Sequence, residues 1–228
     1  MSAVEFWTKL AGNDRGLPQK IVAFNYFPVR VAHPSHFEHF LTPGTPWLSS
    51  LLAYPNSCRR LMERLPRKSG YKENIWDFSD PRLRLALLES NHLESILYHA
   101  GAALLHEEIS KEIARPKLTD LIQRYGKDLY EFAVKKAPVL VGSPKVFPVF
   151  PLPESLVAGV EQAGRTLFEY CFQKQPDSFL HRLELRFPAG WKWDWSGQQP
   201  EIVSETAWKW LHRIAVREVA VEAAPCFE

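Results

Sequence analysis

Eight histidines are the residues best placed to do chemistry in this 228-residue chain, because imidazole ligates metals and moves protons near neutral pH. His33, His36 and His39 form an H-x-x-H-x-x-H run that includes Glu38. On a helix, steps of three drift by about 60° each, so these three rings do not converge on one ion. They are expected instead to flank the face carrying Phe37 and Phe40. His92, His99 and His106 recur every seven residues. That puts them roughly 10 Å apart along a helix, too far to share a metal. His106-Glu107-Glu108 is not an H-E-x-x-H motif.

Nucleophilic and phosphate chemistry fare no better. There is no G-x-S-x-G elbow and no local cysteine-protease signature. Cys171 reads as a small buried hydrophobe, and nothing in the sequence places His181 beside it. Gly126-Lys127-Asp128 lacks the upstream glycine and the hydroxyl of a P-loop, and Gly12-x-x-x-Gly16 is not G-x-G-x-x-G. Glu107 and Glu108 diverge by about 100° on a helix and cannot face one site. No catalytic, cofactor-binding or metal-binding residue is therefore assigned. One enzymatic alternative stays open: a helical hydrolase joining two or more of His92, His99, His106, His181 and His212 with a carboxylate in space.

Two features suit binding rather than catalysis. Arg59, Arg60, Arg64, Arg67, Lys68 and Lys72 set six positive charges against Glu63, a local +5. Such a run is either a solvated face or a surface for an acidic partner or the anionic inner leaflet. Trp191, Trp193 and Trp195 alternate with Lys192 and Asp194, which places three indoles on one side if the segment is extended. They either cover a core edge or anchor a protein partner, since tryptophan is enriched at interface hot spots. Arg59, Arg60, Arg64, Arg67, Lys68, Trp191, Trp193 and Trp195 are the candidate partner-binding residues.

The elements that must carry these residues are helical. An apolar fraction of 46% and a charged fraction of 24% belong to an ordinary soluble globule. Lys+Arg 28 against Asp+Glu 26 leaves +2, which argues against a dedicated nucleic-acid binder. Three widely spaced cysteines fit a reducing compartment. No stretch approaches the ~20 apolar residues of a membrane span, and no secretory signal is visible. A cytoplasmic location is expected. With Pro 18 and Gly 11, the chain is built for helices punctuated by proline rather than for phosphate loops.

Residues 1–20 read as an N-terminal arm, with a turn at Gly12–Gly16. Ile21 to Val31, aromatic and β-branched with Pro28 inside it, reads as an extended or edge segment. Residues 21–138 form a helical N-terminal and central part, in which Asp80-Pro81 caps a helix. Leu83 to Ile109 repeats at helical spacing on two sides, and Gly101-Ala102-Ala103 leaves room for another backbone. A stripe from Leu118 to Ala133 follows, and Pro138 is expected to end it. Residues 139–153 read as a proline-rich strap, and 154–228 as a C-terminal helical part. Asp177 to Phe187 fits either a helix or a strand. The class is mainly α: one compact multi-helix globular domain with at most a small strand pair.

Several segments occur in a familiar order. They are Phe24-Asn25-Tyr26-Phe27-Pro28, His33-Pro34-Ser35-His36-Phe37, Leu97 to Ile109, Leu140-Val141-Gly142-Ser143-Pro144, Phe179 to Pro188, and Leu211-His212-Arg213 with the short tail. In this order the chain resembles the SctK/YscK-like sorting-platform adaptors of the bacterial type III secretion injectisome. The resemblance spans about residues 24–227; residues 1–20 and the Trp191–Trp195 ladder lie outside it. It implies a mostly helical, non-catalytic cytoplasmic adaptor at the inner face of the inner membrane. The partners implied are the cytoplasmic domain of an SctD-like inner-membrane ring protein and an SctQ-like C-ring or pod protein. The stator and the export ATPase follow indirectly. The resemblance carries over no catalytic, cofactor or interface residues.

Overall fold

A computed structural model describes residues 16–38, 54–64, 73–142, 144–148 and 155–227. Every regular element among them is helical, with no strand. In chain order the α-helices are α1 (Leu17–Tyr26), α2 (Pro55–Arg64), α3 (Pro81–Arg84), α4 (Ser90–Leu104), α5 (His106–Lys111) and α6 (Arg115–Tyr125). They continue as α7 (Lys127–Glu131), α8 (Ala137–Val141), α9 (Leu156–Phe172), α10 (Asp177–Glu184) and α11 (Glu201–Ile214). Two compact units emerge. The first comprises Met1–Leu93, Lys174–Lys192 and Ala223–Glu228, and the second Glu94–Gln173 and Trp193–Glu222.

In the first unit, Pro18 sits in the opening turn of α1, where a missing N–H costs nothing. Leu17, Ile21 and Phe24 fall on one buried face. The segment expected to be extended, Ile21 to Val31, is therefore helical to Tyr26 and then forms a 3-10 turn at Pro28–Arg30. Its aromatic and β-branched composition favours strand, but burial at helical spacing outweighs that preference. Phe24 meets Phe78 edge-on at 5.7 Å and Phe179 at 5.6 Å. Asp80 accepts the Arg82 N–H at 2.9 Å, capping α3 as its sequence predicts. Arg84 donates to the carbonyls of Phe78 and Cys226 at 2.8 and 3.0 Å, tying down the C-terminal 3-10 segment. A second cluster gathers Val29, Phe37, Cys58, Leu61 and Leu185. Pro55 is the first residue of α2.

The second unit is organised by α4 and α9. A Cβ placed on Gly101 would lie 2.9 Å from the Gly164 nitrogen, and one on Gly164 would lie 2.7 Å from Leu97 Cδ2. Both distances are below any tolerable contact, so the small residues set a close helix crossing. α9 also packs against α6 and α11. Tyr125 packs against Tyr98 with ring centroids 4.6 Å apart and planes tilted by 38°, and donates to Glu161 Oε1 at 3.0 Å. Gly126, at φ +89°, separates α6 from α7 in a conformation that side chains rarely adopt.

The helix expected to stop at Pro138 instead runs on to Val141. A π-helical turn over Phe132–Lys136 precedes it, in which the Ala137 N–H bonds to the Phe132 carbonyl. The wider turn relieves the clash a proline ring makes with the preceding α-turn. Gly142, at φ +79°, ends the helix. The Asp177–Phe187 segment is helical as α10 as far as Glu184 and then turns, with Phe179, Leu180 and Leu183 buried at helical spacing.

Candidate functional site

Among the described residues the histidines have these local partners. His33 caps a 3-10 turn, its Nδ1 accepting the Ser35 N–H at 3.2 Å. His36 Nε2 bonds to the Phe187 carbonyl at 2.9 Å, and burial lowers its pKa. His33 and His36 stand at the start of and within a 3-10 turn (Pro34–Phe37), where the spacing predicts an α-helix. His39 lies outside the described residues. His92 and His99 stand on α4 and His106 on α5. His99 packs against Phe132 at 4.8 Å and bonds to the Ser95 carbonyl at 2.7 Å, and burial lowers its pKa. His212 lies against Trp208 at 5.1 Å, its pKa lowered by burial and by Arg213. Among the described residues no group of three or more His, Cys, Asp or Glu could hold a metal. Cys58, Cys171 and Cys226 are buried free thiols.

The basic run is described only in part. Arg59, Arg60 and Arg64 belong to α2, which is seated by buried Cys58 and Leu61 while Arg60 is exposed. Arg67, Lys68 and Lys72 lie outside the described residues. The tryptophans divide between the units. In the first, half-buried Trp191 stacks on Phe187 with centroids 5.7 Å apart and planes 20° from parallel. In the second, Trp193 and Trp195 stack on each other at 5.0 Å and 5°, and Trp193 meets Phe168 edge-on at 6.5 Å.

The 193–200 segment is strapped to α9 and its end. Glu169 Oε1 accepts the Asp194 N–H at 2.8 Å, and the Gln173 side chain exchanges two bonds with the Gln199 backbone, at 2.8 and 3.1 Å. Period-two spacing predicts three indoles on one side; Trp193 and Trp195 stack on each other, while Trp191 stacks on Phe187. Burial raises the Glu169 pKa, so the strap holds a carboxylate that protonates more readily than an exposed one.

Sequence reasoning misses two buried arginines. Arg182 is 2% exposed and Arg186 3%. Arg182 Nη1 donates to the Ser178 carbonyl one turn back, at 2.7 Å. Arg186 Nη2 donates to the Leu88 carbonyl, and burial lowers its pKa to about 10 against the attraction of Glu89. The only sequence signal is their placement: two arginines four apart, interleaved with Leu183, Leu185 and Phe187.

Among the described residues, no helix is long and apolar enough to cross a membrane. The comparison with known families matches residues 32–226 to YOP proteins translocation protein K (YscK). Comparisons with curated proteins and with solved structures return no match. The matched span covers most of the chain and bears out the resemblance read from its segments: the chain belongs to the YscK family, a family of type III secretion proteins.

Proposed function

We propose that this protein is a non-catalytic cytoplasmic adaptor of the type III secretion sorting platform. It links the SctD-like inner-membrane ring to the SctQ-like C-ring or pod component, and through the latter to the stator and the export ATPase. Family membership over residues 32–226 is the observation that carries this reading. The histidines support it. Those with described contacts are held by local packing or backbone bonds. The exposed Arg60 and the half-buried indoles of Trp191, Trp193 and Trp195 supply docking chemistry without a reactive centre.

Co-purification tests the proposal directly. The full chain should retain the cytoplasmic domain of the ring protein and the pod protein at micromolar concentration, and deleting its gene should abolish secretion. Retention of neither subunit, with secretion intact, rejects the adaptor role.

A further inference from the structure

The 193–200 strap belongs to no helix, and two side chains of the second unit hold its backbone. Glu169 Oε1 accepts the Asp194 N–H at 2.8 Å. Gln173, one helical turn on at the end of α9, accepts the Gln199 N–H at 2.8 Å and donates to the Gln199 carbonyl at 3.1 Å. Between these points the strap closes on itself. Asp194 Oδ1 accepts the Ser196 N–H at 3.0 Å and the Ser196 hydroxyl at 2.5 Å. A Cβ on Gly197 would meet nothing within 4 Å, so the turn stands in open space on that side. At the far end the Pro200 carbonyl accepts the Val203 and Ser204 N–H groups, and α11 begins.

Glu169 holds the strap at a cost to itself. Burial raises its pKa most, against the Asp194 N–H and Arg165, and the Asp194 charge adds to the rise. Tyr170, whose pKa is raised by burial and by Glu169, completes the charged and titratable groups acting there among the described residues. Asp194 itself is held below its ordinary range by the Ser196 bonds, so it stays ionised while Glu169 titrates. A carboxyl whose pKa is raised in the closed strap binds the extra proton there, and acid therefore favours closing. The gain is complete below the ordinary value of 4.5 and is lost as pH rises through the closed-state value. Near neutral pH the ionised carboxylate works against the strap that it clamps.

We propose that residues 193–200 form a detachable strap. Glu169 and Gln173 act as one cooperative clamp, and its release lifts Trp193 off Phe168 and frees the Trp193–Trp195 stack while α9 and α11 stay folded. The clamp thereby controls how much indole surface the second unit offers. The inference stands whether or not the adaptor reading does.

Amide exchange in the 15N-labelled full chain, resolved at Asp194 and Gln199, tests it. Both amides should exchange faster than those of Leu167 and Leu211, buried in α9 and α11, and should share one opening equilibrium. Gln173→Ala removes only the Gln199 bonds. It should nevertheless speed both amides about tenfold, the scale of one or two hydrogen bonds, with Leu167 and Leu211 unchanged. Glu169→Gln keeps an oxygen to accept the Asp194 N–H but loses the charge, so it should slow both amides severalfold at neutral pH. In the parent chain, exchange divided by its intrinsic rate should fall as pH drops from neutral toward 4.5. Glu169→Gln should lose most of that dependence. Acceleration of Gln199 alone in Gln173→Ala, or strap amides as slow as Leu167, overturns the proposal. Faster exchange in Glu169→Gln at neutral pH overturns the clamp as drawn, since the charge would then be what holds the strap.

Discussion

Asn25 shows how much one side chain does in the first unit. Its amide donates to the Ile75 carbonyl at 2.6 Å and accepts the Ile75 N–H at 2.7 Å, mimicking a backbone partner. Asn25→Ala removes both bonds from a buried position and should cost about 2 kcal/mol, read by urea denaturation. His99 sets a pH dependence. Its folded pKa lies below the ordinary 6.5, so below that pH the unfolded chain binds the extra proton. Stability from this group is complete above pH 6.5 and is lost as pH falls toward the folded value. Denaturation midpoints of His99→Phe should therefore fall less between pH 7 and about 5 than those of the parent chain. A parallel pair of curves would assign the slope elsewhere, for example to His36, which shifts the same way. Asp80 was legible in sequence because a cap is a local device. Arg186 was not, because its burial depends on Leu88, 98 residues earlier in the chain.

At the scale of elements, the α4–α9 crossing gives the sharpest expectation. In an exposed helix, glycine to alanine gains about 1 kcal/mol from propensity. At Gly101 the added methyl would meet backbone atoms of Val160 and Gly164, which cannot swing aside as a side chain can. Gly101→Ala should instead destabilise by about 3 kcal/mol, the upper range of overpacking, in chemical denaturation. The sign alone distinguishes the crossing from an ordinary helix surface. Gly101-Ala102-Ala103 made the close approach legible, but its partner Gly164 carries no local signal of pairing. Two other elements mislead a periodicity reading in opposite ways. Ile21 to Tyr26 has strand-like residues at helical positions. Phe132–Lys136 absorbs a proline that would stop a regular helix, because a π turn leaves no trace in composition.

For the whole molecule, the adaptor reading predicts that binding and folding separate. Reversing charge at Arg60, Arg64 and Arg67 together should reduce recruitment of ring or pod subunits about tenfold, as loss of complementary charge does. If the run is a solvated face, as its charge suggests, each change should alter stability by only about 0.5 kcal/mol, read by thermal denaturation. A folded triple variant with unchanged recruitment moves docking away from this run. Helical class and family were legible because helical periodicity and collinear segments both survive in one dimension. The grouping of the chain into its two units was not, since the first draws on Met1–Leu93, Lys174–Lys192 and Ala223–Glu228. That interleaving governs how the protein can be dissected. Trimming from either end takes pieces from a body whose other pieces stay behind, so a nested deletion series would report collapse as lost affinity. Assigning subunits to surfaces falls to single side-chain changes in an uncut polypeptide.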